Sequence, residues 1–259
     1  MKVLSLFAGM GGFDLAFELA GFDVVAQVEI EPYCKQVLKY NFPTAKQYGD
    51  IREVTGERIL RDCGAIDVIC GGFPCQDISS AGKGAGLDGE RSGLWWEMHR
   101  LIGELRPTWV IAENVDALRN RGLNRVHASL EELGYQVWCF GIPASALGAP
   151  HQRKRLWIVG YSQSKRQRKP NNKANAGATG GQARCIPGGA SYSPFAFPAG
   201  PGQQQYGWEE PRTVESQMGV TVDGLPRKLA LRAIGNSIVP AIAYSIARTI
   251  GRMERVTCE

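Results

Sequence analysis

The stretch MKVLSLFAGMGGFDLAFELAGFDVVAQVE at residues 1–29 decides the fold. The apolar run VLSLF predicts a strand, and a glycine-rich loop, FAGMGG, follows it at 7–12. Apolar residues at three- and four-residue spacings over 11–20 predict a helix. A second apolar run, FDVVAQV at 22–28, ends directly before Glu29. Strand, loop, helix and strand in this order predict a parallel βαβ unit.

The same alternation continues downstream. Further strand-like runs are AIDVIC at 65–70, TWVIA at 108–112, YQVWCFGI at 135–142 and RLWIVGY at 155–161, and helical spacing recurs at 31–41, 93–105 and 122–133. Such continuous hydrophobicity is typical of strands that helices cover on both faces. We therefore predict an α/β fold with a doubly wound, mostly parallel sheet. The last two runs have no long helix between them, so they are expected to form an antiparallel hairpin at the sheet edge.

Composition sets broad limits on the protein. The 259 residues suffice for one catalytic domain with a small appendage, and 44% hydrophobic residues indicate a chain that buries a core. A net charge of +5 is compatible with a polyanionic partner but does not identify one. The seven cysteines include no CxxC pair, which argues against a disulfide framework and a zinc site. No apolar run has membrane-spanning length, and we expect a soluble protein of a reducing cytoplasm.

The glycine loop is the first chemical signal. Small residues let the backbone approach a ligand closely, although a plain tight turn would have the same composition. Glu29 at the next strand end can accept hydrogen bonds from both ribose hydroxyls, and Asp50 in GDI is placed to touch an adenine edge. The loop has no phosphate-binding lysine and no GKS or GKT. These features favour S-adenosylmethionine over ATP or a dinucleotide as the cofactor.

The second signal is GGFPCQDIS at 71–79, directly after a predicted strand. Cys75 then lies at the carboxyl end of the sheet, where open α/β folds bind ligands, and Pro74 stiffens its approach. An arbitrary cysteine at such a position is more often a packing residue than a nucleophile.

Together these motifs resemble the DNA (cytosine-5) methyltransferase family. Five stretches match its motifs in family order over about three quarters of the chain: FAGMGG, GGFPCQDIS, AENV at 112–115, HQRKR at 151–155 and RAIGNSIVP at 232–240, with Glu29 and the GDI aspartate between the first two. The resemblance implies a seven-stranded, Rossmann-like class I methyltransferase fold. It also implies methyl transfer from S-adenosylmethionine to carbon 5 of a flipped-out cytosine in double-stranded DNA, with S-adenosylhomocysteine as the other product.

The resemblance also implies a role for each catalytic residue. Cys75 would add to carbon 6 of cytosine, and Glu113 would protonate or hydrogen-bond the ring nitrogen. Arg153 and Arg155, spaced as on one face of a strand, would orient the base carbonyl and support the thiolate, unless they make ordinary salt bridges. No metal is required.

Cofactor and DNA contacts follow from the same motifs. The expected cofactor contacts are Phe7, Ala8, Gly9, Gly11, Gly12, Phe13, Glu29, Ile30, Asp50, Ile51, Phe73, Pro74, Asn236 and Ser237, although Ser237 could simply cap a helix. The expected DNA contacts are Gln76, Ser79, Lys83, Arg91, Asn114, Lys165 and Arg166; Asn114 could instead hold its own loop.

Three segments organise the chain. Residues 1–161 are the predicted cofactor-binding and catalytic domain, 162–224 a short, partly flexible target-recognition region, and 225–259 a segment that returns to the catalytic domain. The basic tract at the start of 162–224 could grip phosphates or be a solvated stretch. The compact size resembles enzymes of bacterial viruses or stand-alone modification systems, acting as monomers in a bacterial cell or phage-infected host. A cognate restriction endonuclease is a conceivable partner.

Three other functions remain open at this stage. One branch of the family modifies transfer RNA with the same core, and a catalytically silent DNA-binding homologue would share the fold. A thiol hydrolase using Cys75 would need a histidine partner, but His99, His127 and His151 lack a supporting motif.

Overall fold

The computed structural model describes residues 1–74, 93–162, 197 and 237–256. Its seven strands are β1 (Lys2–Leu6), β2 (Asp23–Val28), β3 (Lys46–Tyr48), β4 (Val68–Gly72), β5 (Trp109–Val115), β6 (Tyr135–Ile142) and β7 (Arg155–Ser162). They form one sheet in the order β3-β2-β1-β4-β5-β7-β6. Only the β5–β7 and β6–β7 pairs are antiparallel among these strands. The predicted doubly wound, mostly parallel sheet and its antiparallel hairpin are thus confirmed.

Helices cover both faces of this sheet. The helices of the described ranges are α1 (Gly12–Leu19), α2 (Pro32–Asn41), α3 (Gly56–Cys63), α4 (Leu94–Leu105), α5 (Leu118–Arg121), α6 (Leu123–Glu132) and α7 (Pro240–Val256), with 3-10 turns at Ile51–Glu53 and Ala144–Leu147. Alternate residues of β1 enter opposite cores: Val3 packs with the cluster beneath α1 and α7, and Leu4 with the cluster beneath α4 and α6. The continuous apolar strands therefore have both faces buried.

A buried polar cluster ties the start of α1 to two strands. Asp14, in the first turn of α1, accepts hydrogen bonds from Ser5 Oγ of β1 at 3.0 Å and from Gln27 Nε2 of β2 at 2.8 Å. Its side chain is fully buried, and burial raises the pKa of Asp14 to about 6 against the opposing effect of these hydrogen bonds. Since the glycine loop joins β1 to α1, the cluster fixes both ends of that loop.

We expect Asp14→Asn to stabilise the protein at neutral pH. Because folding raises the pKa of Asp14 from 3.8 to about 6, the folded state binds the proton more tightly than the unfolded state, and stability falls as pH rises through this window. Asparagine keeps the shape without the charge, so its advantage should grow by about 2.4 kcal/mol between pH 4 and pH 7. Urea unfolding across this range measures the difference. An advantage that stays constant with pH would contradict the assignment.

Candidate active site

The glycine loop turns sharply between β1 and α1. Phe7, Gly9 and Gly11 all have left-handed backbone conformations, with φ of 52°, 57° and 86°. At Gly12 an added Cβ would lie 2.8 Å from Ile238 Cγ1, so this position has no room for a side chain. The glycines therefore allow the sharp turn of the loop. They also let its backbone lie close to the segment before α7 and to a ligand.

A small pocket opens over this loop. Its lining residues are Phe7, Ala8, Gly9, Met10, Gly12, Phe13, Gly72, Ser237 and Ile238. Six of these were expected from the sequence, whereas Met10, Gly72 and Ile238 were not. Gly72 and Ile238 could have been predicted as pocket residues, because Gly72 belongs to GGFPC and Ile238 to GNSIVP. The pocket joins the loop, the end of β4 and the segment before α7, which are far apart in sequence.

Glu29 lies at the edge of the loop, directly after β2. One carboxylate oxygen accepts the Gly9 N–H at 2.7 Å and the other accepts the Glu31 N–H at 2.8 Å. The side chain keeps a little solvent exposure, at 8% for the residue. Each carboxylate oxygen can accept a second hydrogen bond, so both can still receive a ribose hydroxyl. Glu29 thus couples the loop to any nucleoside bound there.

The remaining predicted cofactor residues fall into two groups. Ile30 is 59% exposed and offers an apolar surface beside Glu29, whereas Ile51 and Phe73 are buried in the core. Both stay predicted cofactor contacts, since Phe13 lines the pocket at a similar exposure. Asp50 follows β3 and pairs with the Arg52 guanidinium, which lowers the pKa of Asp50. Pro74 is the last described residue before a gap at 75–92.

Glu113 is the central acid of the site. It lies on β5 opposite Gly72 of β4, and its carboxylate approaches Arg155 Nε at 3.2 Å. Burial raises the pKa of Glu113 to about 7, although the nearby Arg155 and Arg153 guanidinium groups oppose this rise. A carboxyl group with this pKa can hold a proton near neutral pH and donate it to a base.

Arg153 and Arg155 reach this acid from different backbone environments. Arg155 begins β7, but Arg153 precedes the strand and has a left-handed φ of 27°. The two therefore do not lie on one face of a regular strand, as their spacing suggested. Arg153 donates a hydrogen bond to the Ser237 carbonyl, and burial lowers the pKa of Arg153. Arg153 thus links the acid to the cofactor pocket.

Asn114 holds the neighbouring loop. Its amide nitrogen donates to the Phe73 carbonyl at 3.1 Å, and its amide oxygen accepts the Val115 N–H at 2.8 Å. With only 2% exposure it is not placed to touch DNA, so that expectation is corrected in favour of the alternative, a residue that holds its own loop. The hydrogen bond to Phe73 fixes the backbone two residues before Cys75.

Several predicted site residues lie outside the described ranges. They are Cys75, Gln76, Ser79, Lys83, Arg91, Lys165, Arg166 and Asn236. The described residues contain no cluster of three His, Cys, Asp or Glu side chains that could hold a metal ion. Within the same ranges, no helix has the length and apolar character needed to cross a membrane.

We expect Glu29→Gln to weaken S-adenosylmethionine binding about 10- to 100-fold, since a hydrogen bond to a charged group is worth roughly 1.5–3 kcal/mol. The new amide group would also face one of the two backbone N–H donors that the carboxylate now accepts. Calorimetric titration checks this effect, with Glu57→Gln on the exposed surface of α3 as the matched control. Equal affinity in the two variants would remove Glu29 from the cofactor site.

Comparison with known proteins gives a consistent result. The model of the C-5 cytosine-specific DNA methylase family matches residues 1–183. Type II methyltransferase M2.BsuMI of Bacillus subtilis is 37% identical over 168 residues, which cover 61% of this chain and 41% of that protein. Type II methyltransferase M.AquIA of a Picosynechococcus strain is 34% identical over 176 residues, 61% of this chain and 71% of that protein. The chain spans less than half the length of the first of these relatives.

Solved structures are similar over the same part of the chain. A putative DNA modification methyltransferase encoded within an E. coli prophage has a TM-score of 0.55 and 30% identity, covering 64% of this chain and 48% of that one. Spodoptera frugiperda DNMT2, solved as a mutant, has a TM-score of 0.53 and 25% identity, covering 62% of this chain and 50% of that one.

Proposed function

We propose, from the premise that this chain belongs to the C-5 cytosine-specific DNA methylase family, that it transfers a methyl group from S-adenosylmethionine to carbon 5 of cytosine in double-stranded DNA. The observation that carries the proposal is Glu113. This buried acid has a pKa of about 7 and lies beside both arginines and opposite the strand that leads to Cys75. A protonated acid at this position suits a reaction in which negative charge builds on a ring nitrogen.

Each residue then has a defined chemical task. The Cys75 thiolate forms a bond to carbon 6 while Glu113 gives its proton to the ring nitrogen, which makes carbon 5 nucleophilic. Carbon 5 takes the methyl group and then loses its proton to water. The ring nitrogen returns its proton to Glu113, the bond to sulfur breaks, and the thiolate leaves. Arg155 and Arg153 hold the base carbonyl and stabilise the anionic groups.

The residues present fit S-adenosylmethionine. Glu29 suits the ribose hydroxyls and the exposed Ile30 offers an apolar contact for the adenine. Asp50 would give up part of its pairing with Arg52 to accept from the adenine amino group. An added Cβ at Gly9 would have only the Phe7 carbonyl oxygen nearby, at 3.9 Å, so this part of the loop is open to a ligand. When bound, the cofactor supplies a methyl group on a positively charged sulfur, which a carbon nucleophile can attack.

The substrate must bring its base out of the helix. A cytosine stacked in a duplex cannot reach an acid as deeply buried as Glu113, so the target nucleotide has to flip into the site at a cost of a few kcal/mol. Recognition of the target sequence is assigned to residues 162–224, and residues 225–259 complete the cofactor pocket. Such an enzyme acts where DNA is accessible, in the cytoplasm of a bacterial cell or phage-infected host, as a monomer with or without a cognate endonuclease.

Transfer of a labelled methyl group tests the proposal. Unmethylated duplex DNA and transfer RNA are incubated separately with the protein and the labelled cofactor, and the modified bases are identified by mass. We expect 5-methylcytosine in DNA. Modification of transfer RNA alone would favour the RNA enzyme, and binding to DNA without transfer would favour a catalytically silent homologue.

A further inference from the structure

A row of buried polar side chains crosses three neighbouring strands: Gln27 of β2, Ser5 of β1 and Cys70 of β4, here called the polar row. Ser5 pairs in register with Gln27 on one side and with Cys70 on the other, so the three side chains share one face of the sheet. Asp14 of α1 accepts hydrogen bonds from Ser5 and Gln27. One carboxylate is thus buried between α1 and the middle of the sheet.

The polar row lies one strand repeat behind the cofactor pocket. Two residues after each of its members comes a residue of that site: Phe7 and Gly72, which line the pocket, and Glu29, which holds the glycine loop. Two residues along a strand span roughly 7 Å. Phe13, the sequence neighbour of Asp14, also lines the pocket. The buried carboxylate is therefore near the pocket, although it does not line it.

The hydrogen bonds around Asp14 suit the charged form of the carboxylate. Ser5 and Gln27 both act as donors to it, one to each oxygen. The side-chain oxygen of Gln27 is buried and has no hydrogen-bond partner among the described residues, so the amide is turned toward Asp14 with its donor side. A neutral acid would instead need an acceptor for its own proton. The site is thus built around a negative charge.

No cation compensates this charge within the part of the chain that the structure describes. The titratable groups on the elements around Asp14 are Lys2 of β1, Asp23 of β2, Cys70 of β4, Glu18 of α1, and the half-buried Tyr244, Arg248 and Glu254 of α7. None of the cations in this set contributes to the pKa of Asp14. Burial and, after it, the charge of Asp14 raise the pKa values of Glu18 and of the Cys70 thiol. The negative charge therefore acts beyond its own hydrogen bonds.

Burying this acid lowers stability at neutral pH, as the expected gain from Asp14→Asn implies. A residue that lowers stability suits a functional role better than a purely structural one. S-adenosylmethionine carries one more positive charge than S-adenosylhomocysteine, because its sulfur is a sulfonium ion, and the two share all other charged groups. An uncompensated anion behind the pocket therefore attracts the methyl donor more strongly than the product.

We propose that the Asp14 carboxylate is a specificity-determining group, which makes the pocket favour S-adenosylmethionine over S-adenosylhomocysteine. The inference rests on the proposed function, because it concerns the cofactor of the same reaction. Two unit charges on the order of 10 Å apart, at an effective dielectric constant of about 20, change an affinity by roughly 10-fold. A preference of this size favours exchange of the product for a new methyl donor after each turnover.

Calorimetric titration with both ligands at several pH values tests the proposal. The Kd of S-adenosylhomocysteine divided by that of S-adenosylmethionine isolates the sulfonium charge. In the wild type this ratio should rise roughly 5-fold between about pH 5 and pH 7.5, as Asp14 loses its proton near pH 6. Asp14→Asn should lower the ratio about 10-fold at pH 7.5 and abolish the rise. The unpaired Gln27 oxygen can accept from the new amide, so this variant keeps the fold.

Two further variants separate Asp14 from other acids. Glu18→Gln removes an exposed acid one turn further along α1 and should keep both the ratio and its rise, because solvent screens an exposed charge. Glu113→Gln removes the buried acid of the active site, which loses its proton near pH 7. Its ratio should still rise through about pH 6.

The outcomes distinguish this inference from the proposed function. If the wild type binds the cofactor and methylates DNA but Asp14→Asn has the same ratio at each pH, the inference is wrong and the proposed function stands. An Asp14→Asn variant that loses affinity for both ligands by the same factor would give Asp14 a purely structural role, which also overturns the inference. If the wild type binds neither ligand, the proposed function fails and the inference fails with it.

Discussion

Replacing Cys75 with alanine is expected to lower methyl transfer on the order of 10⁶-fold, the scale at which removal of a covalent nucleophile acts. Without a bond from sulfur to carbon 6, carbon 5 of cytosine is too weak a nucleophile to attack the methyl group. DNA binding and the affinity for S-adenosylmethionine should remain close to those of the wild type. The loss would therefore appear in kcat and not in binding.

A cysteine elsewhere in the chain provides the control. Cys139 lies half-buried on β6, and burial raises the pKa of its thiol, so it is a poor nucleophile. Cys139→Ala should keep kcat within a few-fold of the wild type. Methylation that persists in Cys75→Ala and disappears in Cys139→Ala would reverse the assignment.

Replacing Glu113 with glutamine is expected to lower kcat by about 10²- to 10⁴-fold, the contribution of a positioned general acid. Glutamine can hydrogen-bond the ring nitrogen but cannot give it a proton. In the wild type the protonated fraction of Glu113 falls as pH rises through about 7, so kcat should decrease on the alkaline side. The glutamine variant should lack this decrease.

A pH profile of single-turnover rates measures both effects. Glu132→Gln on the exposed end of α6 is the matched control, and it should reproduce the wild-type profile. A Glu113→Gln variant that keeps both the rate and the alkaline decrease would exclude Glu113 as the proton donor. Thermal unfolding of the variants separates loss of chemistry from loss of folding.

Much of the fold could be predicted from local sequence patterns. The strand runs and the helices at 11–20, 31–41, 93–105 and 122–133 appear within three residues of the predicted bounds, because each carries a continuous or periodic apolar pattern. The helix α3 is different. It buries only Gly56 and Ile59, and Thr55 caps its N-terminus by accepting the Arg58 N–H with its hydroxyl. With eight residues this helix is shorter than the window of roughly 11–18 residues over which apolar spacing predicts a helix.

The candidate site could be predicted from the sequence only where the contacting residues belong to motifs that are close together in the chain. Glu29 and the glycine loop lie close in sequence, and the structure joins them through the Gly9 N–H. In contrast, the contact between Arg153 and the Ser237 carbonyl spans 84 residues, and no local pattern contains it. The left-handed backbone at Arg153 could not be predicted either, because its two-residue spacing from Arg155 suggests a regular strand.

Trapping of a covalent complex on duplex DNA tests the central claim most directly. Fluorine at carbon 5 cannot leave as a proton does, so a 5-fluorocytosine at the target position should stop the reaction with the bond between Cys75 and carbon 6 intact. We predict a species with the mass of the protein plus the methylated DNA strand, formed only with S-adenosylmethionine present and absent in Cys75→Ala. A complex that forms equally in that variant, or methylated DNA without any trapped complex, would contradict the proposed mechanism.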